Sequence, residues 1–252
     1  MIQLINRRIY TERIAPFINK NIIKVLTGQR RVGKSCILRQ IQNHIEQTQP
    51  DCNIICINKE LEEFAFMRSH EELSAYVSEH LKTDKNNYLF IDEVQDIQGF
   101  EHTLRSLQAQ DACDIYITGS NAKLLSGELA TYLGGRYVAF VIYPFSFAEF
   151  LELYRTIAPE ASGQQAFQKY LLAGGMPYLA NLRYAEEPSR QYLTDVFNSV
   201  QLKDIVKRNM VRDVDLLERI LAYVMANVGT TFSASSLSRF LKNEQRNVAP
   251  ET

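Results

Sequence analysis

One short stretch limits this chain more than any other. Gly28-Gln29-Arg30-Arg31-Val32-Gly33-Lys34-Ser35 fits the pattern G-x-x-x-x-G-K-S/T at every fixed position. It follows the apolar run Ile22–Thr27. It precedes Lys34–Gln47, where Ile37, Leu38, Ile41 and Ile45 fall on one helical side. A strand, a glycine turn and a helix in that order aim successive backbone N–H groups at one point. The helix adds its positive N-terminal end. The arrangement suits a phosphate chain, with Lys34 at the β- and γ-phosphates and Ser35 offering its hydroxyl to Mg²⁺.

Such a loop requires a sheet behind it, and the sequence supplies one. Cys52–Ile57, Tyr88–Ile91, Ile115–Thr118 and Tyr137–Ile142 are further short apolar runs. Between them, Glu71–Leu81 and Phe100–Gln108 carry helical spacing. Strands that are apolar throughout and alternate with helices predict an α/β fold, its parallel sheet covered on both faces. After Pro144 the strand signal stops. Phe147, Phe150, Leu151 and Tyr154 make a helix face, and Leu217, Ile220, Leu221, Val224, Met225 and Val228 make the cleanest stripe in the chain. The expected division is a phosphate-loop domain over 1–155 with a polar, basic lead-in at 1–20. A helical lid-like region follows over 156–210, with a linker at Ala158–Gly163. An incomplete winged-helix-like segment occupies 211–252.

Composition enters through charge. With 28 basic and 29 acidic residues the net charge is −1, which argues against a dedicated polybasic surface for nucleic acid or membrane. The distribution is uneven. Residues 1–35 hold eight bases against Glu12 alone, and residues 59–101 hold eleven acids against four bases. That asymmetry suggests internal pairing or a subunit contact more than a tail, but the leading alternative is solvated faces of unlike sign. Of the four cysteines (Cys36, Cys52, Cys56, Cys113), Cys52 and Cys56 lie in an apolar, strand-like run with no histidine cluster and read as buried reduced thiols rather than zinc ligands. No apolar run reaches the length of a membrane helix and no secretory leader is visible. The expectation is a cytoplasmic protein with no membrane association.

The second chemical element is Tyr88-Leu89-Phe90-Ile91-Asp92-Glu93, an apolar strand ending in two acids. In open α/β sheets ligands bind beyond the C-terminal strand ends. Asp92 is therefore expected at Mg²⁺, and Glu93 is expected to orient and polarise an attacking water. The guanine-reading pattern N-K-x-D is not met: Asn58-Lys59-Glu60 is followed by Leu61, and it sits too early in the chain. ATP is the expected nucleotide.

Four further expectations concern neighbours of the loop. Ser120 or Asn121, with Thr118 third, would sense the γ-phosphate after the fourth strand; the alternative is a helix cap beginning near Ala122. Arg136, after Gly134-Gly135, would reach a phosphate in the same chain or in a neighbouring subunit of a homo-oligomer. Its alternative is a surface ion pair. Arg30 and Arg31 are expected to point away from the phosphates, toward the acidic region or a partner. Cys36 joins Gly28 through Ser35 as a loop-flanking contact.

GQRRVGKS, LFIDEVQDI, ITGSNAKLLS, GGRYVAF, YPFSFAEFL and GGMPYLA together resemble a family of prokaryotic AAA+-type P-loop ATPases that carry a C-terminal domain of unknown function. The likeness runs from about Asn21 to the end. It implies a five-stranded sheet of order 5-1-4-3-2 and ATP binding and hydrolysis. It also implies Lys34 and Ser35 at phosphates and metal, Asp92 and Glu93 as the acid pair, and Arg136 as the arginine of a G-R motif. Family members are longer, and that C-terminal domain is expected to be missing here. The region after Leu216 reads as two helices, the second capped by Ser233, and the start of a third at Pro250. The leading expectation is an ATP hydrolase whose turnover, from ATP to ADP and phosphate, drives or resets a conformational switch. The alternative is a slow, nucleotide-gated adaptor that binds DNA through the winged-helix-like segment.

Overall fold

The computed structural model describes residues 5–119, 133–200, 206, 210–211, 213–231 and 233–243. Five strands form one sheet: β1 (Ile23–Gly28), β2 (Asn53–Asn58), β3 (Asn87–Asp92), β4 (Asp114–Thr118) and β5 (Tyr137–Ile142). Their order is β2-β3-β4-β1-β5 and every pairing is parallel. This is the expected order, 5-1-4-3-2, written from the other edge.

The strands are apolar on both faces because both are covered. Ile23 and Val25 of β1, Leu89 and Ile91 of β3, and Ile115 and Ile117 of β4 share one buried cluster. Leu73 and Val77 of α3 (His70–His80) and Phe100, Leu104 and Leu107 of α4 (Phe100–Ala109) belong to the same cluster. Alternate residues turn to the other face, where α2 (Lys34–Thr48) lies against β1, β3 and β4. Its Ile37, Ile41 and Ile45 are fully covered. Burying such a side chain contributes about 1.5–3 kcal/mol, so these two apolar layers dominate the fold's stability.

The polar, basic lead-in packs against α2 and β5. α1 (Arg8–Ile14) runs into a 3₁₀ turn at Ala15–Phe17, burying Tyr10 and Ile14. Phe17 meets Phe140 of β5 edge-on at 5.7 Å. The cysteines are free but not buried: Cys36 and Cys56 are exposed, and Cys52 and Cys113 are half-buried. On β2, an edge strand, the inward residues are Ile55 and Ile57, so Cys56 between them faces out. The basic and acidic segments pair little, as solvated faces of unlike sign would. Among the described residues, Lys34 alone of the basic run reaches the acidic run, 3.9 Å from Glu93. Arg7 and Lys24 pair with Glu149 and Asp114 instead.

Beyond β5 the described chain is helical. α5 (Phe147–Ile157) and α6 (Gly163–Ala173) each begin with a capping box, Ser146 with Glu149 and Ser162 with Gln165. α7 (Glu186–Val200) follows a 3₁₀ turn at Pro177–Ala180. The chain divides into two compact units, Met1–Tyr192 and Leu193–Thr252. In the second unit Asp213 caps α8 (Val214–Ala226) by accepting from the Leu216 N–H at 2.9 Å. Ser233 accepts from the Ser236 N–H at 3.1 Å at the start of α9 (Ala234–Asn243). The third helix expected near Pro250 lies outside the described residues.

Candidate functional site

The glycine loop sits at the C-terminal end of β1. Its backbone explains its composition. Gly28 has φ +150°, and a Cβ there would come within 2.3 Å of the Ile142 carbonyl oxygen. Only glycine lets β1 turn off the sheet so close to β5. Gly33 has φ +96° at the start of α2. Arg31, which is not a glycine, holds φ 131°, a local strain of the kind found where a loop is shaped for a ligand.

Lys34 is buried, and its ammonium donates to the Gly28 and Gln29 carbonyls at 3.2 and 3.3 Å. Burial pushes it below its ordinary pKa, while the charges of Glu93 and Asp92 oppose the shift and that of Arg30 adds to it. Glu93 caps the 3₁₀ turn Val94–Asp96 in the left-handed region, φ 56°. That conformation presents its carboxylate toward Lys34 and leaves it in reach of Gln95, whose side-chain amide donates to it.

Asp92 and Glu93 are joined through one hydroxyl. Thr118, fully buried at the end of β4, donates to the Asp92 carboxylate and accepts from the Glu93 N–H at 3.0 Å. Parallel register makes this possible: Ile91 pairs with Ile117, so the next residues on β3 and β4 lie side by side. The third-ranked polar residue of the sequence is thus the one described here. Ser120 and Asn121 lie outside the described residues.

A cleft of about 620 Å³ opens over the loop within the first unit. Its lining is partly polar, with Lys34, Ser35, Cys36, Glu60 and Glu93, and partly apolar and aromatic, with Ile5, Phe145, Leu153, Pro177, Tyr178 and Tyr192. Tyr178 and Tyr192 stack at 4.7 Å. The turn carrying Pro177 and Tyr178 is fixed by Gly175, whose carbonyl accepts from the Phe145 N–H at 2.7 Å. A Cβ on Gly175 would lie 2.2 Å from the Phe145 oxygen. Arg30 and Arg31 belong to the cleft lining too. The Arg30 Nε is buried and has no hydrogen-bond partner among the described residues. Ser35 and Asp92 offer a hydroxyl and a carboxylate, oxygen donors that suit Mg²⁺.

Arg136 is exposed and precedes β5. Tyr137 pairs with Ile23 at the start of β1, and Ile142 pairs with Gly28 at its end. At about 3.3 Å per residue the loop lies roughly 17 Å farther along the sheet. An arginine side chain does not span that, so the expected contact with a phosphate of the same chain is not made. Arg7 was not foreseen at all: its guanidinium is buried against the rear of the loop and donates to the Val32 carbonyl at 2.9 Å.

A phosphate loop after the first strand, an acid pair after the third and the order β2-β3-β4-β1-β5 define an AAA+-type P-loop fold. The sequence comparisons agree: the model of the AAA domain family matches residues 20–151, and the chain belongs to that family. A second model, described as a domain of unknown function (DUF8612), matches residues 164–250. That match falls in the part of the chain that follows β5. An uncharacterized protein of Haemophilus influenzae is 34% identical over 245 residues, covering 96% of this chain and 60% of that protein. The uncharacterized protein MJ1544 of Methanocaldococcus jannaschii is 30% identical, covering 92% of this chain and 52% of that protein. The chain therefore spans just over half the length of these relatives. Among solved structures, a reconstruction of Hsp104 with ATPγS and casein aligns over 90% of this chain and 48% of that one, at 14% identity and a TM-score of 0.53. That likeness concerns the fold alone. No helix among the described residues is long and apolar enough to cross a membrane.

Proposed function

We propose that the protein binds MgATP in the cleft above the glycine loop and hydrolyses it to ADP and phosphate, using turnover to drive or reset a conformational switch. The observation that carries this reading is the Thr118 hydroxyl tying Asp92 to the backbone of Glu93, with the Glu93 carboxylate 3.9 Å from Lys34. A metal-side carboxylate and a water-side carboxylate are thereby set at fixed positions across from the phosphate lysine.

In this reading the Lys34 ammonium leaves the Gly28 and Gln29 carbonyls for the β- and γ-phosphates. Ser35 and Asp92 hold Mg²⁺, which supplies charge stabilisation to the transferring phosphoryl group. Glu93 orients a water in line with the γ-phosphate and takes up its proton. Arg30, in the cleft lining, adds a positive charge near the phosphates. The adenine lies against the apolar lining residues Phe145, Pro177 and Tyr178. Arg136 is left with one route to a phosphate, the site of a neighbouring subunit, which makes a homo-oligomer part of the proposal. The lid-like region 156–210 and the segment 211–252 would transmit the switch.

Glu93→Gln tests the reading. It keeps shape and removes the base. MgATP should remain bound while turnover falls by about 10²–10⁴. Wild-type turnover in that variant would place the chemistry elsewhere. The wild-type rate per subunit, followed over a wide range of protein concentration, should rise if Arg136 completes a neighbour's site. Duplex DNA added to the same assay, with no effect on rate and no salt-sensitive binding, would dispose of the adaptor alternative.

A further inference from the structure

We propose that Arg7 is a positioning residue for the nucleotide: its guanidinium holds the phosphate loop from behind and makes the arm before α1 part of the binding site. The inference rests on the nucleotide reading of the cleft. It goes beyond that reading by adding a segment that lies outside the matched AAA region, 20–151.

The geometry is that of a buried fork. Arg7 is 3% exposed. Its Nη1 donates to the Val32 carbonyl at 2.9 Å. Its Nε and Nη2 donate to the two Glu149 carboxylate oxygens at 2.7 and 3.2 Å. Nη2 also donates to the Tyr143 carbonyl at 3.0 Å. The Tyr10 and Phe145 rings lie 4.6 and 5.0 Å from the guanidinium carbon. One planar cation therefore joins the loop, the end of β5 and the start of α5, and only arginine presents donors in that fixed fork.

Two details direct the inference to ligand binding rather than to stability alone. Val32 is the residue before Gly33, so the carbonyl that Arg7 holds belongs to the peptide whose N–H opens the α2 phosphate end. Fixing that peptide fixes where its N–H points, which is what a phosphate cradle depends on. Second, Arg7 and Ile5 are anchored to α2 through one side chain. The Gln40 carbonyl oxygen accepts from the Arg7 N–H at 3.1 Å, and its amide donates to the Ile5 carbonyl at 2.7 Å. Ile5 in turn lines the cleft. The arm thus meets the loop through Arg7 and the cleft wall through Ile5.

The two contacts can be probed apart. Calorimetry with MgATP and with inorganic tripolyphosphate, which has no base, is run on wild type, Arg7→Lys and Arg7→Ala. Lysine keeps the charge and loses the fork. We expect both ligands to weaken together, by about tenfold or more, in folded Arg7→Lys protein. Unchanged affinity for both would make Arg7 a stability residue only and overturn the proposal. A loss for MgATP with tripolyphosphate unchanged would overturn it too, because the arm would then serve the base alone. If neither variant folds, hydrogen exchange on the wild type decides. Tripolyphosphate should slow exchange in α1 as well as in the loop, and protection of the loop without α1 would refute the inference. Failure of the wild type to bind either ligand would instead refute the nucleotide reading.

Discussion

Two lysines one strand-length apart are both buried, and the chain treats them in opposite ways. Lys24 sits in β1 and is fully covered. Its ammonium pairs with the Asp114 carboxylate, donates to the Lys20 carbonyl at 3.0 Å and lies 5.0 Å from the Tyr116 ring centre. Asp114 is saturated in turn: the Tyr116 hydroxyl and the Asn19 N–H donate to it, each at 2.8 Å. Lys34, past the other end of the same strand, has only loop carbonyls beyond 3 Å and a carboxylate at 3.9 Å. Burial lowers the pKa of both. At the N-terminal edge of the sheet the charge is matched by the protein. At the C-terminal edge it is left for a ligand. A buried charge alone does not mark a site; a buried charge whose best partners are missing does.

The sharpest way to break that comparison is to delete each charge. Lys34→Ala should weaken MgATP by roughly 10²–10⁴, the loss of two charge-assisted hydrogen bonds, and leave the melting temperature unchanged or higher. Lys24→Met should do the reverse. It strands Asp114 and should cost about 3–5 kcal/mol of stability, read by urea unfolding, with MgATP affinity of the folded protein intact. Destabilisation by Lys34→Ala, or lost affinity in folded Lys24→Met, would erase the distinction between the two edges.

Thr118 gives a smaller test at the functional edge. Thr118→Val keeps volume and removes the hydroxyl between Asp92 and the Glu93 N–H. Leaving those groups unpaired should cost about 1–3 kcal/mol. We expect turnover to fall about 10–100-fold with MgATP affinity nearly unchanged. Equal losses in both would mean that the hydroxyl holds up the fold around the loop and does not place Glu93.

The same two edges show what the sequence could and could not tell. The loop and the acid pair were legible because each is local, and the parallel sheet because its strands are apolar throughout; the strand order came from the family resemblance, not from the residues. For Arg136 the same-chain alternative could have been excluded by a rule: a residue that precedes a strand lies at the edge opposite the ligand. Thr118 was ranked below its neighbours because nothing local distinguishes a threonine whose hydroxyl meets β3 from one that caps a helix. Arg7 was invisible for a different reason. Its partners Val32, Tyr143 and Glu149 lie 25, 136 and 142 residues away. An arginine in a basic, polar lead-in reads as solvated, and only the assembled sheet brings a carbonyl and a carboxylate to it. Gly175 is similar: its need for no side chain comes from Phe145, 30 residues earlier.

Glu149 yields the smallest effect and asks whether the clamp behind the loop belongs with the matched edge or the unmatched one. Burial by itself would raise its carboxyl. The hydrogen bond from Arg7, the Ser146 N–H and the Arg7 charge outweigh burial and hold it below its ordinary value. A carboxyl whose folded pKa is depressed contributes stability that is fully present above the unfolded pKa. That stability is lost as pH falls through the folded one. The unfolded value is near 4.5, so the contribution is complete at neutral pH and declines in acid. One proton limits the slope to about 1.4 kcal/mol per pH unit. Glu149→Gln removes this increment while the amide oxygen can still accept from Arg7. Urea unfolding should find the variant less stable than wild type at neutral pH, with the two curves converging below pH 4.5. Convergence would class the pair with Lys24 and Asp114 as a charge matched by the protein. Parallel curves would mean that Glu149 titrates alike folded and unfolded, and that Arg7 is held by the Val32 and Tyr143 carbonyls rather than by its carboxylate.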